Sequence, residues 1–359
     1  MRIRAERDDL ADVFSRAARA VSARSPLAVL QGLHLAVTGR ALRVTGTDLD
    51  VTVRTQLEVE VLEEGRTVVP ARLITEAVRK LPVGAVVVEA AAGEVQFTGG
   101  GPKFRFREMA VDDFPTLPEA DLKGGLEVDG PEFVQALEQV MVAASHDDAR
   151  PVLTGIYFEA YEGALRLVAT DSYRLALRDV PAVRSTVAAL IPARALRELH
   201  RTVGAKKLQV AVGTREASFG SERGTLTVRL IEGTFPNYRQ LLPASYPSHL
   251  TVGREALLEA IGRASLVAED HIPIRLQLQA GGAELSVTRQ DVGGETEHVA
   301  GDYQGDDMTI AFNSRYLNDG VAAVEEDQVV LDVIDPLKPG VVRGAESGDF
   351  LYLLMPVRL

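Results

Sequence analysis

The feature that most restricts how this chain can fold is that one block is written three times. GLHLAVTGRALRVTGTDLD (32 to 50) and GIYFEAYEGALRLVATDSYR (155 to 174) share a leading Gly, then A-L-R-V/L, then T-D. A fainter third copy reads IRLQLQAGGAELSVTRQD (274 to 291). Downstream, VVPARLITEAVRKL (68 to 81) matches LIPARALRELHRTV (190 to 203), and FNSRYLNDGVAAV (312 to 324) occupies the third place. Separate landmarks give one period: Arg72, Arg194 and Arg315 lie 122 and 121 apart, and Pro115, Pro236 and Pro356 lie 121 and 120 apart. Leu10, Phe133 and Leu257 repeat at 123 and 124, the first two followed at i+4 by Phe14 and Leu137 and the third by Ile261. Such a period predicts repeated modules rather than one continuous core. The boundaries expected are 1–121, 122–247 and 248–359, with Pro- and Gly-bearing joints at PTLPEADLKGG (115 to 125) and LLPASYPSHL (241 to 250).

Within a module the pattern predicts a helix (10 to 23 in the first), strands over 32 to 60, a second helix after Pro-Ala-Arg (70 to 80), and strands over 84 to 107. In KFRFR (103 to 107), Phe104 and Phe106 fall on one face and Lys103, Arg105 and Arg107 on the other. The expected class is α+β, two helices on antiparallel sheet per module. Such sheets have edges that must be covered or joined to a neighbour.

Composition removes several functional classes. The 359 residues are 46% hydrophobic and 25% charged, as in globular rather than disordered proteins. No stretch approaches the ~20 apolar residues of a membrane span, and the charged start MRIRAERDDLADVF does not read as a secretory leader, so a cytoplasmic location is expected. With 0 cysteines there is no disulfide, thiolate nucleophile or zinc ribbon, and the 6 histidines show no metal-ligand spacing. No metal or cofactor is expected. An enzyme centred on Asp171, Arg174 and His200 would need an activated nucleophile or metal set beside them, and none is present.

The net charge of −12 hides its distribution: by module it is −2, +1 and −11. Arg194, Arg197 and Arg201 fall at i, i+3 and i+7, a stripe on one helix, and Arg72 and Arg79 do the same in the first module. Basic residues on amphipathic helices often only face solvent. An arginine recurring at the start of the second helix in all three modules favours a use. Six helices spaced at ~9 Å leave a hole of roughly 7 Å, whereas twelve from two chains leave about 24 Å, enough for a duplex more than ~16 Å across. The basic strand 103–107 and the acidic third module suggest how two chains join, head to tail, through Lys103, Phe104, Arg105 and Phe106 on one side and Leu266, Val267 and Glu295 on the other.

GTDLD (46 to 50), VPAR (69 to 72), DDFP (112 to 115), VATDSYRLA (168 to 176), FPNYRQLLP (235 to 243) and the terminus YLLMPVRL (352 to 359) resemble, together and across the whole chain, the bacterial DNA polymerase III β-subunit family, the replication sliding clamps. The resemblance implies a DNA-clamp fold closing as a head-to-tail dimeric ring around double-stranded DNA without sequence preference. It implies no chemistry, and it implies partners: the replicative polymerase α subunit, the clamp loader, other polymerases and repair proteins. A peptide-binding repeat scaffold that never threads DNA is the alternative.

The resemblance also implies a peptide cleft formed by Leu153, Thr170, Ser172, Tyr173, Arg174, Leu175, Pro236, Gln240, Leu241, Leu337, Pro339, Leu353, Leu354, Met355, Pro356, Val357, Arg358 and Leu359. Leu175, Leu241, Leu353, Leu354 and Met355 suit an apolar floor, with Arg174 orienting a glutamine of the peptide. Arg24, Arg72 and Arg194 match positions facing DNA, and Arg79, Arg150, Arg197 and Arg201 extend that basic set. Ser172-Tyr173 stands where family members often carry Gly-His, Gln240 where they carry arginine, Asp147 in place of a polar contact, and Pro151-Val152 in place of two aromatics. Asp171 has a counterpart in Asp48, so it is expected to be structural.

Overall fold

The computed structural model describes residues 1–180, 188–268 and 272–358. They form two compact units, Met1–Val134 with Arg194–Leu230, and Gln135–Ala193 with Ile231–Leu359. The strands of the second copy are shared between them.

In the first unit a five-stranded antiparallel sheet runs Glu60–Glu63, Arg2–Glu6, Ala85–Ala91, Glu94–Gly99, Lys103–Arg107. Alternation sets its faces: Val86, Val88, Val95 and Phe97 are wholly buried, while Lys103, Arg105 and Arg107 are exposed. The unit's second sheet has eight strands in the order Leu126–Asp129, Lys207–Val212, Glu216–Ser221, Gly224–Arg229, Val51–Glu58, Ala41–Thr47, Gly32–Thr38, Gly65–Pro70. Its middle is a seam between copies, where Arg54 faces Thr225 and Val51 faces Val228. Only glycine fits at position 224: its φ is +136°, and a Cβ would lie 2.2 Å from the Arg54 carbonyl.

The second unit holds a twelve-stranded sheet: Ala188–Pro192, Gly155–Tyr161, Ala164–Thr170, Arg174–Val180, Phe350–Leu354, Gly340–Gly344, Gln328–Val333, Ser248–Gly253, Gly293–Gln304, Gly282–Arg289, Ile274–Gln279, Met308–Phe312. It contains a second seam of the same kind, Arg174–Val180 against Phe350–Leu354, with Arg174 facing Leu354 and Arg178 facing Phe350.

The helix expected over 10 to 23 is Arg7–Ala17, followed by a 3-10 turn Ala18–Ala20. It starts earlier because Asp8 and Asp9 suit the positive end of the helix dipole. It buries Leu10, Val13, Phe14 and Ala17, one face at helical spacing. The chain turns extended at Val21, and the Ala17 carbonyl lies so near the strand beneath that a Cβ on Gly46 would be 2.1 Å from it. The second helix of the first copy, Ala71–Lys80, packs against Arg7–Ala17.

One expectation fails in the second copy. Instead of one helix carrying Arg194, Arg197 and Arg201, there are two short ones, Ala193–Leu196 and Leu199–Thr202. The turn between them closes with i→i+3 bonds, Glu198 N–H to the Ala195 carbonyl (3.2 Å) and Arg201 N–H to the Glu198 carbonyl (3.1 Å). Thr202 Oγ1 bonds back to the Glu198 carbonyl at 2.9 Å. All three arginines remain exposed.

Candidate functional site

The turn between Ala164–Thr170 and Arg174–Val180 is built by its own side chains. Asp171 Oδ1 accepts the N–H groups of Tyr173 (2.9 Å) and Arg174 (3.1 Å). Thr170 Oγ1 donates to the Arg174 carbonyl (2.7 Å) and accepts from Ser172 N–H (3.2 Å). The first copy repeats this bond for bond. Asp48 Oδ1 accepts from Asp50 (3.1 Å) and Val51 (2.7 Å), and Thr47 Oγ1 donates to the Val51 carbonyl (2.9 Å) and accepts from Leu49 N–H (3.0 Å). In both, the third residue is left-handed without being glycine, Ser172 at φ +83° and Leu49 at +78°. Asp171 is therefore a turn-former, and the enzyme reading loses its carboxylate.

Arg174, expected to reach toward a bound glutamine, points inward instead. It is 7% exposed, its Nε bonds Asp171 Oδ2 (2.9 Å), and its Nη1 bonds Asp319 Oδ2 (2.5 Å) and the Tyr352 hydroxyl (3.3 Å). The guanidinium also lies 4.3 Å from the centre of the Tyr316 ring. Burial by itself lowers its pKa; Tyr352, Asp319 and Asp171 outweigh that and hold it above the ordinary value. Arg174 thus clamps the turn, with Tyr173 stacked on Tyr316 at 6.4 Å above it.

Beneath this lip lies an apolar cluster of Val168, Leu175, Leu177, Leu190, Phe235, Tyr238, Val341 and Leu353, with Val152, Tyr157, Leu242 and Tyr246 packed against it. It gathers Leu175 and Leu353. Leu354 does not share their face: it follows Leu353 in one strand, so its side chain lies on the other side of the sheet, where it is buried. The apolar side chains of the expected cleft region that reach the surface are Tyr173, Leu241, Leu337 and Met355, between 40% and 70% exposed. Pro236, Gln240 and Arg358 are exposed, Pro339, Pro356 and Val357 half-buried, Leu153 and Thr170 buried, Ser172 exposed. The end of the chain is tied down by Met355 N–H to the Tyr173 carbonyl (2.9 Å) and Val357 N–H to the Ala311 carbonyl (2.8 Å). Leu359 lies outside the described residues.

Sequence reasoning missed Leu177, Tyr238, Tyr246, Tyr316, Asp319 and Val341. Leu177 and Val341 were open to it, since Leu177 is two residues from Leu175. Tyr316 and Asp319 approach only through the tertiary fold. Tyr246 is pushed up to about 12 by burial, with Asp332 adding to it, and its hydroxyl is buried with no hydrogen-bond partner among the described residues.

The basic residues of the first unit sit where helices crowd. Arg7–Ala17 touches both Ala71–Lys80 and Leu199–Thr202. Arg24, Arg72, Arg79, Arg194, Arg197 and Arg201 are exposed. Two of them carry weak surface pairs: Arg72 with Glu76 at 3.1 Å, and Arg194 with Asp50 at 3.5 Å. In the second unit, Arg150 is held by Asp147 (2.9 Å) and Ser172 (3.3 Å), which leaves it less charge to offer an outside phosphate.

Of the expected joint residues, Phe104 and Phe106 are half-buried and stacked at 6.3 Å, with Lys103 and Arg105 exposed beside them. Leu266 is 87% exposed just past the helix Arg254–Ala264, and Val267 is half-buried. Glu295 Oε2 is buried and accepts no hydrogen bond among the described residues. Burial, with Glu297 adding, raises its pKa.

Family models place this architecture. The N-terminal, central and C-terminal domains of the DNA polymerase III beta subunit match residues 1–118, 127–237 and 239–358. The beta sliding clamp of Streptomyces coelicolor is 33% identical over 380 residues, covering 100% of both chains. The griselimycin-bound DnaN sliding clamp of Pseudomonas aeruginosa superposes at a TM-score of 0.95 with 27% identity, covering 100% of both. The Bacillus subtilis clamp, at 23% identity and a TM-score of 0.96 over 100% of this chain and 99% of its own, has the same fold. Given a match along its whole length, the chain belongs to the DNA polymerase III beta subunit family, the beta sliding clamps.

Proposed function

We propose that this protein is a DNA polymerase processivity factor whose two copies close head to tail around duplex DNA, with the Tyr173–Met355 face as the docking cleft for polymerase, clamp loader and repair proteins. It performs no reaction. The observation that carries the ring is the pair of seams. The closing strand of the second copy, Gly224–Arg229, pairs with Val51–Glu58, and that of the third, Phe350–Leu354, pairs with Arg174–Val180. Among the described residues, the first copy's closing strand, Lys103–Arg107, pairs only with Glu94–Gly99. The third copy's equivalent acceptor, the first half of Gly293–Gln304, pairs among the described residues only with Gly282–Arg289. One edge is basic and aromatic and the other carries Glu295 and Glu297, so a second molecule supplies the missing seam by the pairing used twice already.

Modules of 1–121, 122–247 and 248–359, and the DNA set Arg24, Arg72, Arg79, Arg150, Arg194, Arg197 and Arg201, belong to the same proposal. The cleft's apolar lip and buried Tyr246 hydroxyl suit a short peptide with leucine or phenylalanine and one amide side chain. Action in the cytoplasm belongs to the same proposal; among the described residues no helix is long and apolar enough to cross a membrane. Retention on nicked circular DNA after loading, with release when the circle is cut, tests the ring. Retention indifferent to free ends would overturn threading and leave a peptide scaffold.

A further inference from the structure

The first and second copies can be compared position by position, because their hairpins run in the same register. Ala36 faces Arg43 as Glu159 faces Arg166. Arg43 faces Gln56 as Arg166 faces Asp179, and Thr45 faces Arg54 as Val168 faces Leu177. Ala36 faces Arg66 on the next strand as Glu159 faces Ala188. The aromatic beside them also corresponds: His34 stacks on Phe114 at 4.9 Å as Tyr157 stacks on Phe235 at 5.1 Å.

In the second copy this patch is neutral and filled. The Arg166 guanidinium meets Asp179 at 2.7 and 2.6 Å. Arg239 meets Glu159 at 2.8 Å, Tyr238 also bonds Glu159, and Val168 and Leu177 belong to the apolar cluster. In the first copy both carboxylates are gone, replaced by Ala36 and Gln56. Arginines stand where Leu177 and Ala188 would, and Leu117 replaces Tyr238. What is left is a cavity of about 240 Å³ lined by Arg43, Arg54 and Arg66, the His34–Phe114 pair, and Glu119. Among the ionic residues lining it, three cations face one carboxylate.

Arg43 and Arg66 hold Glu119 (2.6 Å) and Asp112 (2.8 Å) in well-exposed pairs at the rim, which contribute little and exchange readily. Arg54 differs. It is 9% exposed, its Nη2 donates to the Pro118 carbonyl at 2.7 Å, and no carboxylate among the described residues lies within ion-pair distance. Burial, with Arg43 adding to it against the pull of Glu119, lowers its pKa. A guanidinium taken out of water without a counter-ion is unfavourable, and a bound anion repairs it.

We propose that this cavity binds a phosphoryl dianion, free or carried on a small molecule with a planar ring. With Glu119 and Asp112 both counted, the three arginines keep a surplus of one positive charge, and displacing either exposed rim carboxylate raises it to two, which suits a dianion; forked arginine donors suit phosphoryl oxygens. Its lining shares no residue with the peptide cleft or with the arginine-bearing helices.

Calorimetric titration of the full-length protein with inorganic phosphate and with a nucleoside monophosphate, at constant ionic strength against a chloride control, tests this. The expected result is one saturable site per chain. Tighter binding of the nucleotide would identify a carried phosphoryl group, and equal affinity a free one. Arg54→Leu, which installs the second copy's residue, and Gln56→Asp, which restores its carboxylate beside Arg43, should each weaken binding by roughly tenfold or more. Both should leave DNA retention unchanged. No saturable heat above the chloride control, or undiminished affinity in Gln56→Asp and in folded Arg54→Leu, would overturn the assignment.

Discussion

Asp171 accepts two backbone hydrogen bonds and an ion pair at once, so its two oxygens can be separated by substitution. Asp171→Ala leaves the turn amides without their acceptor and removes one of Arg174's two carboxylate partners, Asp319 remaining, and should cost about 2–4 kcal/mol in urea unfolding. Asp171→Asn keeps an acceptor for the turn and should lose clearly less. Equal losses would mean that the backbone bonds contribute nothing. His34 offers a second test. Burial, and then Arg66, hold its imidazole below the ordinary 6.5, in a cavity that also presents Arg43, Arg54 and Glu119. The unfolded chain therefore takes up a proton that the folded one resists, and stability is lost as pH falls below about 6.5. His34→Phe should flatten the decline in melting temperature between about pH 7.5 and 5.5; an identical decline in both proteins would refute this.

At the level of single elements, the proposed joint between molecules rests on the strand Lys103–Arg107. Arg105→Glu, or Glu295→Arg, should each weaken the dimer by roughly ten- to hundredfold in sedimentation experiments, and the double variant should recover part of that loss. Recovery absent in the double variant would place the two residues in different contacts. Deleting residues 355–359 should abolish polymerase binding while the dimer persists, since Met355 is on the exposed lip. The strands, the Thr-Asp turns and the helix after Pro-Ala-Arg were legible in the sequence because each depends on neighbours: alternation, a side-chain oxygen two residues away, a periodic apolar face. Other features were not, for a common reason. Arg174 turns inward because of Asp319, 145 residues later, and the seams join strands from different copies. The break at 196–199 reflects competing i→i+3 bonds that the arginine spacing does not reveal.

For the assembled molecule, enclosure and adhesion predict different salt responses. The side chains of Arg72 and Arg194 are 87% and 69% exposed, so their attraction to phosphates is screened readily. Replacing Arg24, Arg72 and Arg194 by alanine should reduce the slope of log affinity against log salt for linear duplex by roughly 0.9 per arginine. Clamps already on closed circles should stay on at salt that strips linear DNA, in the parent and the triple variant alike. Loss from closed circles in parallel with loss from linear DNA would show that contact, not closure, holds the protein.

The two seams inside the chain and the one proposed between chains use the same pairing, closing strand to turn-following strand, and differ only in whether a peptide linker spans them. Covalent continuity is thus incidental to the geometry. In the proposed ring, two molecules fused end to end would close on themselves as one polypeptide, and a chain nicked at a joint between copies would stay joined there, because strand pairing and not the tether holds each seam.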